Sequence, residues 1–294
     1  MNTVKHTMKL VSDEMSTSLM PFPVDKKLCY GWAQDIPRGG ETILYTGCAY
    51  QLALLGHSYD RLIPLITKIK GIEKLKGLAS KVITPSKDQV ERSWQILRKM
   101  ATILRKTGVE FGYLYEDEPY SGAILLEMGL IDEFKEVSKK VFSIFEKYNV
   151  KRVITVDPHT QYALLRGKEM NNTAIEIRSF YEMVGGFKAS GVFTIHDSCL
   201  YSRFLGLRDA IRNIVRSSGI NLIEDPMITG RDTSMCCGSP IAPVNYKVSD
   251  SIAKMRAESL KKLSPNVLVF CPFCYENLKA HVQVKDFMEV VNVE

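Results

Sequence analysis

An α/β protein of two pseudo-repeated α/β halves, each with a small, mostly parallel sheet flanked by helices, is what the sequence predicts. Three observations carry that expectation. Strand-like apolar runs at 43–46, 111–115, 152–156, 192–195, 220–223 and 266–270 alternate with helical stretches near 89–107, 132–148, 207–218 and 248–263. The helical stretches keep one apolar face: Val90, Trp94, Leu97, Met100, Ala101 and Leu104 recur three and four residues apart before Gly108, and Ile211, Ile214 and Val215 precede Gly219. Lastly, the chain repeats itself, since Ile43 to Cys48 reads as a strand ending in a cysteine, as Val192 to Cys199 does.

Taken in order, residues 1–40, with Pro21, Pro23, Pro37, Gly39 and Gly40, read as an arm or linker. Residues 41–188 form the first half and 189–294 the second. Glu118-Pro119-Tyr120-Ser121-Gly122 stands where the second half has Met235-Cys236-Cys237-Gly238. Val153 to Thr160 stands where it has Val267 to Cys274. The first half is longer by an insertion centred on the helical stretch before Gly108.

Of 294 residues, 45% are hydrophobic and 24% charged, a balance that supports a full core without a disulfide scaffold. The first twenty residues lack an apolar stretch of signal-peptide length, and no run approaches the roughly 18 apolar residues of a membrane helix. A net charge of +6, spread along the chain without basic runs interleaved with aromatics, argues against nucleic-acid binding. The cysteine usage fits a reducing, cytoplasmic setting, with any membrane contact made through partners at the inner face rather than by direct insertion.

Five of the seven cysteines, Cys199, Cys236, Cys237, Cys271 and Cys274, come from three separate segments. Five thiols exceed the four of a structural zinc tetrahedron, which favours a larger iron–sulfur centre. Cys199 and Cys271 close apolar strands, at the edge where open α/β sheets place ligands. Gly238 lets the backbone come close beside the adjacent pair. His196 and Asp197 abut a ligand and are candidates to orient the centre or relay a proton. Arg203 is a candidate partner for an anion and equally an ordinary surface charge. Tyr275 and Glu276 flank the site without an evident role, and Cys29 reads as a spectator.

These segments, with the His196-Asp197-Ser198-Cys199 lead-in, Arg203 and Gly238-Ser239-Pro240, resemble the cysteine-rich CCG domain found in the B-type subunit of heterodisulfide reductase and in its relatives. Those relatives include iron–sulfur subunits of glycolate, lactate and glycerol-3-phosphate dehydrogenases. The resemblance implies one noncubane [4Fe-4S] cluster, or alternatively zinc, on the five cysteines. It implies an oxidoreductase component that works within a complex, performing thiol/disulfide conversion or electron transfer. The chain has no cubane-ferredoxin cysteine run, so electrons are expected from a ferredoxin-like iron–sulfur partner, the C-type subunit of such complexes, and a flavoprotein is a further expected partner. The alternatives are an electron-transfer subunit of a lactate-, glycolate- or glycerol-3-phosphate-type dehydrogenase, and a zinc-stabilised assembly subunit without a redox role. In the first half only Cys48 remains of the five-cysteine set, with Tyr120, Ser121, Asp157 and Thr160 at the other places. That argues against a second cluster and leaves a single ion on Cys48, Asp157 and His159 as an alternative to a half kept for packing and docking.

Overall fold

The computed structural model describes residues 2–56 and 85–292. Two parallel sheets organise them. In the first, β1 (Thr42–Tyr45), β2 (Arg152–Thr155) and β3 (Glu176–Ser179) run in the order β1-β2-β3. In the second, β4 (Val192–Ile195), β5 (Asn221–Leu222), β6 (Asn266–Val269) and β7 (Gln283–Asp286) run in the order β5-β4-β6-β7. Parallel neighbours require crossovers that cover the sheet faces, which is why β1, β2 and β6 are buried on three consecutive residues each.

The internal repeat is topological as well as sequential. Gly112 bridges Ile43 in parallel on the outer side of β1, as β5 lies on the outer side of β4. β3 and β7, the last strands of the two sheets, each lead into a short helix with a capping box, Ser179 with Glu182 and Asp286 with Glu289. The expected strand at 111–115 is thereby corrected: only Gly112 and Tyr113 pair, before the chain turns into the single helical turn Tyr115–Asp117 with Tyr115 at φ 53°. A Cβ at Gly112 would overlap the Gly39 carbonyl, so glycine lets these two stretches meet.

Residues 1–40 also differ from the extended arm that was expected. A helix, Asn2–Ser18, packs on the helix Ile131–Lys147, with Lys140 donating to the Ser16 carbonyl at 2.7 Å. Met15 is fully buried, and Trp32 is sealed edge-on against Tyr113 with ring centroids 5.0 Å apart. Cys29 is not a spectator: it forms a disulfide with Cys48 and ties the N-terminal stretch to the end of β1.

Other elements also escape the sequence reading. β3 and β7 each bury only alternate residues, Ile177 and Ser179 or Val284 and Asp286, so neither shows an apolar run. The helix Pro158–Asn171 lacks a clean apolar stripe because it is pinned closely instead. Ser138 and Phe142 of the neighbouring helix press on Gly167 where a Cβ would stand.

One core joins the halves. Leu44, Ile154 and Val156 of the first sheet belong to the same buried cluster as Ile195, Leu268 and Phe270 of the second. Its centre is aromatic: Phe287 stacks on Phe270 at 4.8 Å, and Tyr181 meets Phe270 edge-on at 5.0 Å. The polar seam is short, with Tyr50 donating to Asp286 at 3.1 Å and Arg92 pairing with Glu289 at 2.7 Å. Phe287→Ala is therefore expected to cost about 3–5 kcal/mol in a denaturant titration, with both halves losing structure in one transition. Separate transitions would show that the halves do not share this core.

Candidate metal centre

β4 and β6 are neighbours in register, Thr194 with Val267 and Ile195 with Leu268, so the chain leaves both at the same sheet edge. Cys199 follows β4 and Cys271 follows β6. Cys199 leads into a widened helical turn, Leu200–Phe204, closed by the Leu205 amide on the Leu200 carbonyl at 2.9 Å. Cys271 caps the helix Pro272–Leu278, whose fixed-φ first residue Pro272 sets its entry and whose first turn carries Cys274. The paired cysteines arrive on a loop. Gly238 follows them at φ 90°, its amide 3.3 Å from the Cys236 sulfur, and its Cβ position is blocked by the Ser249 carbonyl 2.6 Å away. Ser249 donates to the Gly238 carbonyl at 2.9 Å, and Asn277 donates to the Cys237 carbonyl at 2.5 Å. The loop is thus held from two helices.

The five thiols form one contiguous chain. Cys199 contacts Cys236, Cys236 contacts Cys237, Cys237 contacts Cys274, and Cys274 contacts Cys271. Cys237, Cys271 and Cys274 are buried, whereas Cys199 and Cys236 are partly exposed. The crowding splits their acidities. Hydrogen bonds from Cys199 and Cys237 pull the Cys236 thiol well below its ordinary range, while the same contact with Cys236 pushes Cys199 up. Burial opposes a thiolate at Cys271, but the Cys274 contact and the charge and hydrogen bond of His159 overcome it and bring Cys271 down. Packed sulfurs that share protons in this way suit a cation or cluster that replaces the protons.

His196 joins them: its ring nitrogen, Cys237 and Cys274 lie within 4.8 Å of one another. Burial, and then the charge of Arg256, lower His196 to about 3, so it is neutral. Its tautomer is set by Arg256, which donates from Nε to His196 Nδ1 at 3.0 Å and therefore leaves the proton on Nε2. Nε2 has no protein oxygen or nitrogen partner. An imidazole N–H beside soft sulfurs is a hydrogen-bond donor to whatever the sulfurs hold. Arg256 escaped the sequence reading; only its place on a helix of otherwise ordinary charge marks it, and it is 1% exposed.

The other flanking residues take structural parts. Asp197 accepts two 2.8 Å bonds from buried Arg212, which also donates to Glu224 at 2.7 Å. Arg203 ties the Cys199 turn to the loop before Cys236, donating to the Arg231 and Ser234 carbonyls. Tyr275 lies under Arg92, whose guanidinium is 3.5 Å from the ring centroid, and Glu276 pairs with Lys279.

In the first half the corresponding rim is rebuilt from harder groups. Cys48 is committed to Cys29. Asp157 caps the helix Pro158–Asn171, accepting from the His159 and Thr160 amides at 2.9 and 3.0 Å. Glu118 is buried and accepts from Thr46 and Tyr113 at 2.7 Å; burial pushes it up to about 7 against those bonds. Ser121 Oγ, Asp157 Oδ2 and Thr160 Oγ1, at places that hold cysteines in the second half, are buried without a protein partner. Among the described residues the close ligand trio is His196, Cys237 and Cys274; Cys48, Asp157 and His159 do not form one. A cavity of about 80 Å³ opens between the halves, bounded by Tyr120, Glu127 and His159 on one side and Pro240 and Phe273 on the other.

Residues 193–279 match the model of the cysteine-rich domain CCG. The chain is similar to the "Probable iron-sulfur-binding oxidoreductase FadF" of Bacillus subtilis, 29% identical over 210 residues, or 66% of this chain and 29% of that protein. It is similar to the EtfAB:quinone oxidoreductase of Syntrophomonas wolfei, 25% identical over 226 residues, 69% of this chain and 31% of that protein. It is also similar to the D subunit of the dihydromethanophenazine:CoB–CoM heterodisulfide reductase of Methanosarcina barkeri, 25% identical over 217 residues, 64% of this chain and 52% of that protein. The chain spans about half or less of the length of these relatives.

Two outcomes are expected. Gly238→Ala strains a left-handed position against the Ser249 carbonyl, which should cost about 1–3 kcal/mol and lower the amount of bound metal per folded chain. Unchanged metal content would show that the loop aims the paired cysteines without Gly238. Glu118, raised from 4.5 to about 7, binds its proton more tightly in the folded state. Its stabilising contribution is full below pH 4.5 and is lost as pH rises towards 7, a change of about 3 kcal/mol. Denaturation midpoints measured from pH 4 to 8 should fall across that window, and Glu118→Gln should flatten the slope.

Proposed function

With residues 193–279 a cysteine-rich CCG domain, we propose that this chain is the iron–sulfur component of a larger oxidoreductase. Its five cysteines Cys199, Cys236, Cys237, Cys271 and Cys274 would hold one [4Fe-4S] cluster of the noncubane type. The observation that carries the reading is the unbroken chain of five sulfurs in contact, one thiol more than a tetrahedral zinc site uses. Support also comes from the names of the similar proteins, an iron–sulfur-binding oxidoreductase, a quinone oxidoreductase and a component of a heterodisulfide reductase.

Such a cluster supplies one-electron transfer and an iron site at which sulfur can bind. The residues around it fit that use. Buried Cys237, Cys271 and Cys274 keep water from the inner side, and neutral His196 offers an N–H to the sulfurs without adding charge. Partly exposed Cys199 and Cys236 leave one edge near the surface. Phe204 and Met235, in the same two segments, are exposed apolar residues, and Met227 and Ile241 are exposed nearby in the chain. A face of that kind suits a protein partner. We assign it to a ferredoxin-like protein that brings electrons one at a time, with a flavoprotein as the further donor or acceptor. No helix among the described residues is long and apolar enough to cross a membrane, so membrane association would run through partners.

A second reading has its own observation. His196, Cys237 and Cys274 are close enough to share one ion, which suits zinc in a non-redox assembly protein. Iron, acid-labile sulfide and zinc per chain, measured on protein purified without oxygen, separate the two. About four irons with matching sulfide are expected; one zinc and no iron would replace the redox reading with the structural one. Cys237→Ser should abolish or convert the visible iron–sulfur spectrum while the first half stays folded, and an unchanged spectrum would remove Cys237 from the ligand set.

A further inference from the structure

The rim of the first half repeats the backbone of the metal centre while changing its chemistry. Gly122 and Gly238 share one left-handed conformation, φ 83° and ψ 6° against φ 90° and ψ −8°, and each opens a short helix. Asp157 and Cys271 are both extended, at φ −143° and −141°, and each caps a helix that begins with a proline. The strands that lead to them, β2 and β6, pair in parallel with β1 and β4. Ser121 thus stands where Cys237 does, Asp157 where Cys271 does, and Thr160 where Cys274 does. In the second half the sulfurs of Cys237 and Cys274 lie within 4.8 Å of each other. Contacts within the first half draw the same segments together. Tyr45 donates to the Pro119 carbonyl at 2.6 Å, the Thr160 amide donates to Asp157 Oδ1 at 3.0 Å, and Thr160 Oγ1 stands 3.0 Å from where a Cβ on Gly47 would be.

At these places the first half carries oxygens that no protein group satisfies. Ser121 Oγ, Asp157 Oδ2 and Thr160 Oγ1 are buried without a partner, in residues that are 2%, 0% and 0% exposed. Unpaired buried polar groups are costly, a carboxylate most of all. We propose that Ser121, Asp157 and Thr160 bind a small monovalent cation, sodium or potassium, at the first half's counterpart of the metal centre. The donor set selects that class. Two hydroxyls and a carboxylate are hard oxygen ligands, and the one cysteine of this rim, Cys48, is held in a disulfide, so soft-metal binding has no thiolate to use. The neighbouring carboxylates are spent, Glu118 on Thr46 and Tyr113 and Glu127 on His159. One remaining carboxylate balances one positive charge, whereas a divalent ion would keep an excess charge in a buried place, and calcium takes about six to eight oxygens. The inference stands whether the five cysteines hold iron or zinc.

The test is thermal melting of the whole chain, purified without oxygen and exchanged into choline chloride, then measured in sodium, potassium or choline chloride at one ionic strength. Sodium, potassium or both should raise the parent's melting temperature over that in choline by about 2–4 °C, in a saturable way, and the ion that does so identifies the occupant. Ser121→Ala should lose that rise. In choline it should melt at or above the parent, because an unpaired buried hydroxyl has been removed. Asp157→Asn keeps a side chain that caps the helix and should lose the rise as well. Equal melting of the parent in all three salts, or variants that keep the parent's rise, would overturn the inference. Ser121→Ala melting below the parent by the same amount in all three salts would assign these oxygens to buried water and overturn it too. If Asp157→Asn does not fold, Ser121→Ala decides by itself, since it leaves the helix cap intact.

Discussion

The parallel pairing of β4 with β6 is the constraint on which the site depends. Parallel neighbours end at the same edge, so two segments far apart in sequence leave the sheet side by side, Cys199 from one and Cys271 from the other. Two such exits give three sulfurs, since Cys274 follows Cys271 in the first turn of its helix. The remaining pair must come from a loop, and a loop can aim adjacent side chains at one point only if its backbone is held. Here that holding is done by Gly238 in a left-handed conformation and by Ser249 and Asn277, which take up the carbonyls of Gly238 and Cys237. The sheet fixes where the site is, and the buried polar loop contacts fix its shape.

The same edge in the first half shows what becomes of that geometry without the sulfurs. Asp157 and Thr160 keep the helix-capping part of the Cys271-to-Cys274 turn while giving up its soft ligands. Glu118 and Thr46 fill the space under the loop with a buried, strongly bonded carboxylate, and Cys48 is drawn away into a disulfide with the N-terminal stretch. The first sheet therefore persists as a scaffold whose rim is stitched by hydrogen bonds and one covalent bond. Its continued presence is explained by packing: a four-stranded sheet with a two-residue edge strand cannot cover its own apolar face, and Phe287, Phe270 and Tyr181 do so only with both halves in place.

Much of this was legible in the residues. Cysteines that close apolar strands announce the sheet edge at which they gather, and the helices with a clean three-and-four periodicity fall close to where the pattern puts them. What was hidden has physical reasons. β3 and β7 bury alternate residues, Ile177 or Val284 among charged neighbours, which reads as loop. The helix Pro158–Asn171 is buried through Gly167 and polar contacts, so no stripe marks it. The N-terminal stretch carries prolines and glycines that suggest a linker, yet Met15 and Trp32 bury almost completely, and burial of large side chains outweighs local turn signals. Arg256 was illegible as a site residue because its role depends on a neighbour from a distant segment, His196. A tautomer or a charge state is a property of a pair, and no single position displays it.

The arrangement of donors around the sulfurs is asymmetric, and the asymmetry follows from the two halves. From within their own half the sulfurs face a neutral imidazole whose proton is placed by Arg256; from the opposite half the His159 ring, bonded to Glu127, packs on Phe273 beside Cys274. Both lie on the buried side, with Cys237, Cys271 and Cys274, whereas Cys199 and Cys236 lie on the side that reaches the surface. The fixed polar contacts and the accessible sulfurs are thus on opposite faces, so a group that reaches the exposed edge meets neither imidazole, both being held by the core that joins the two sheets.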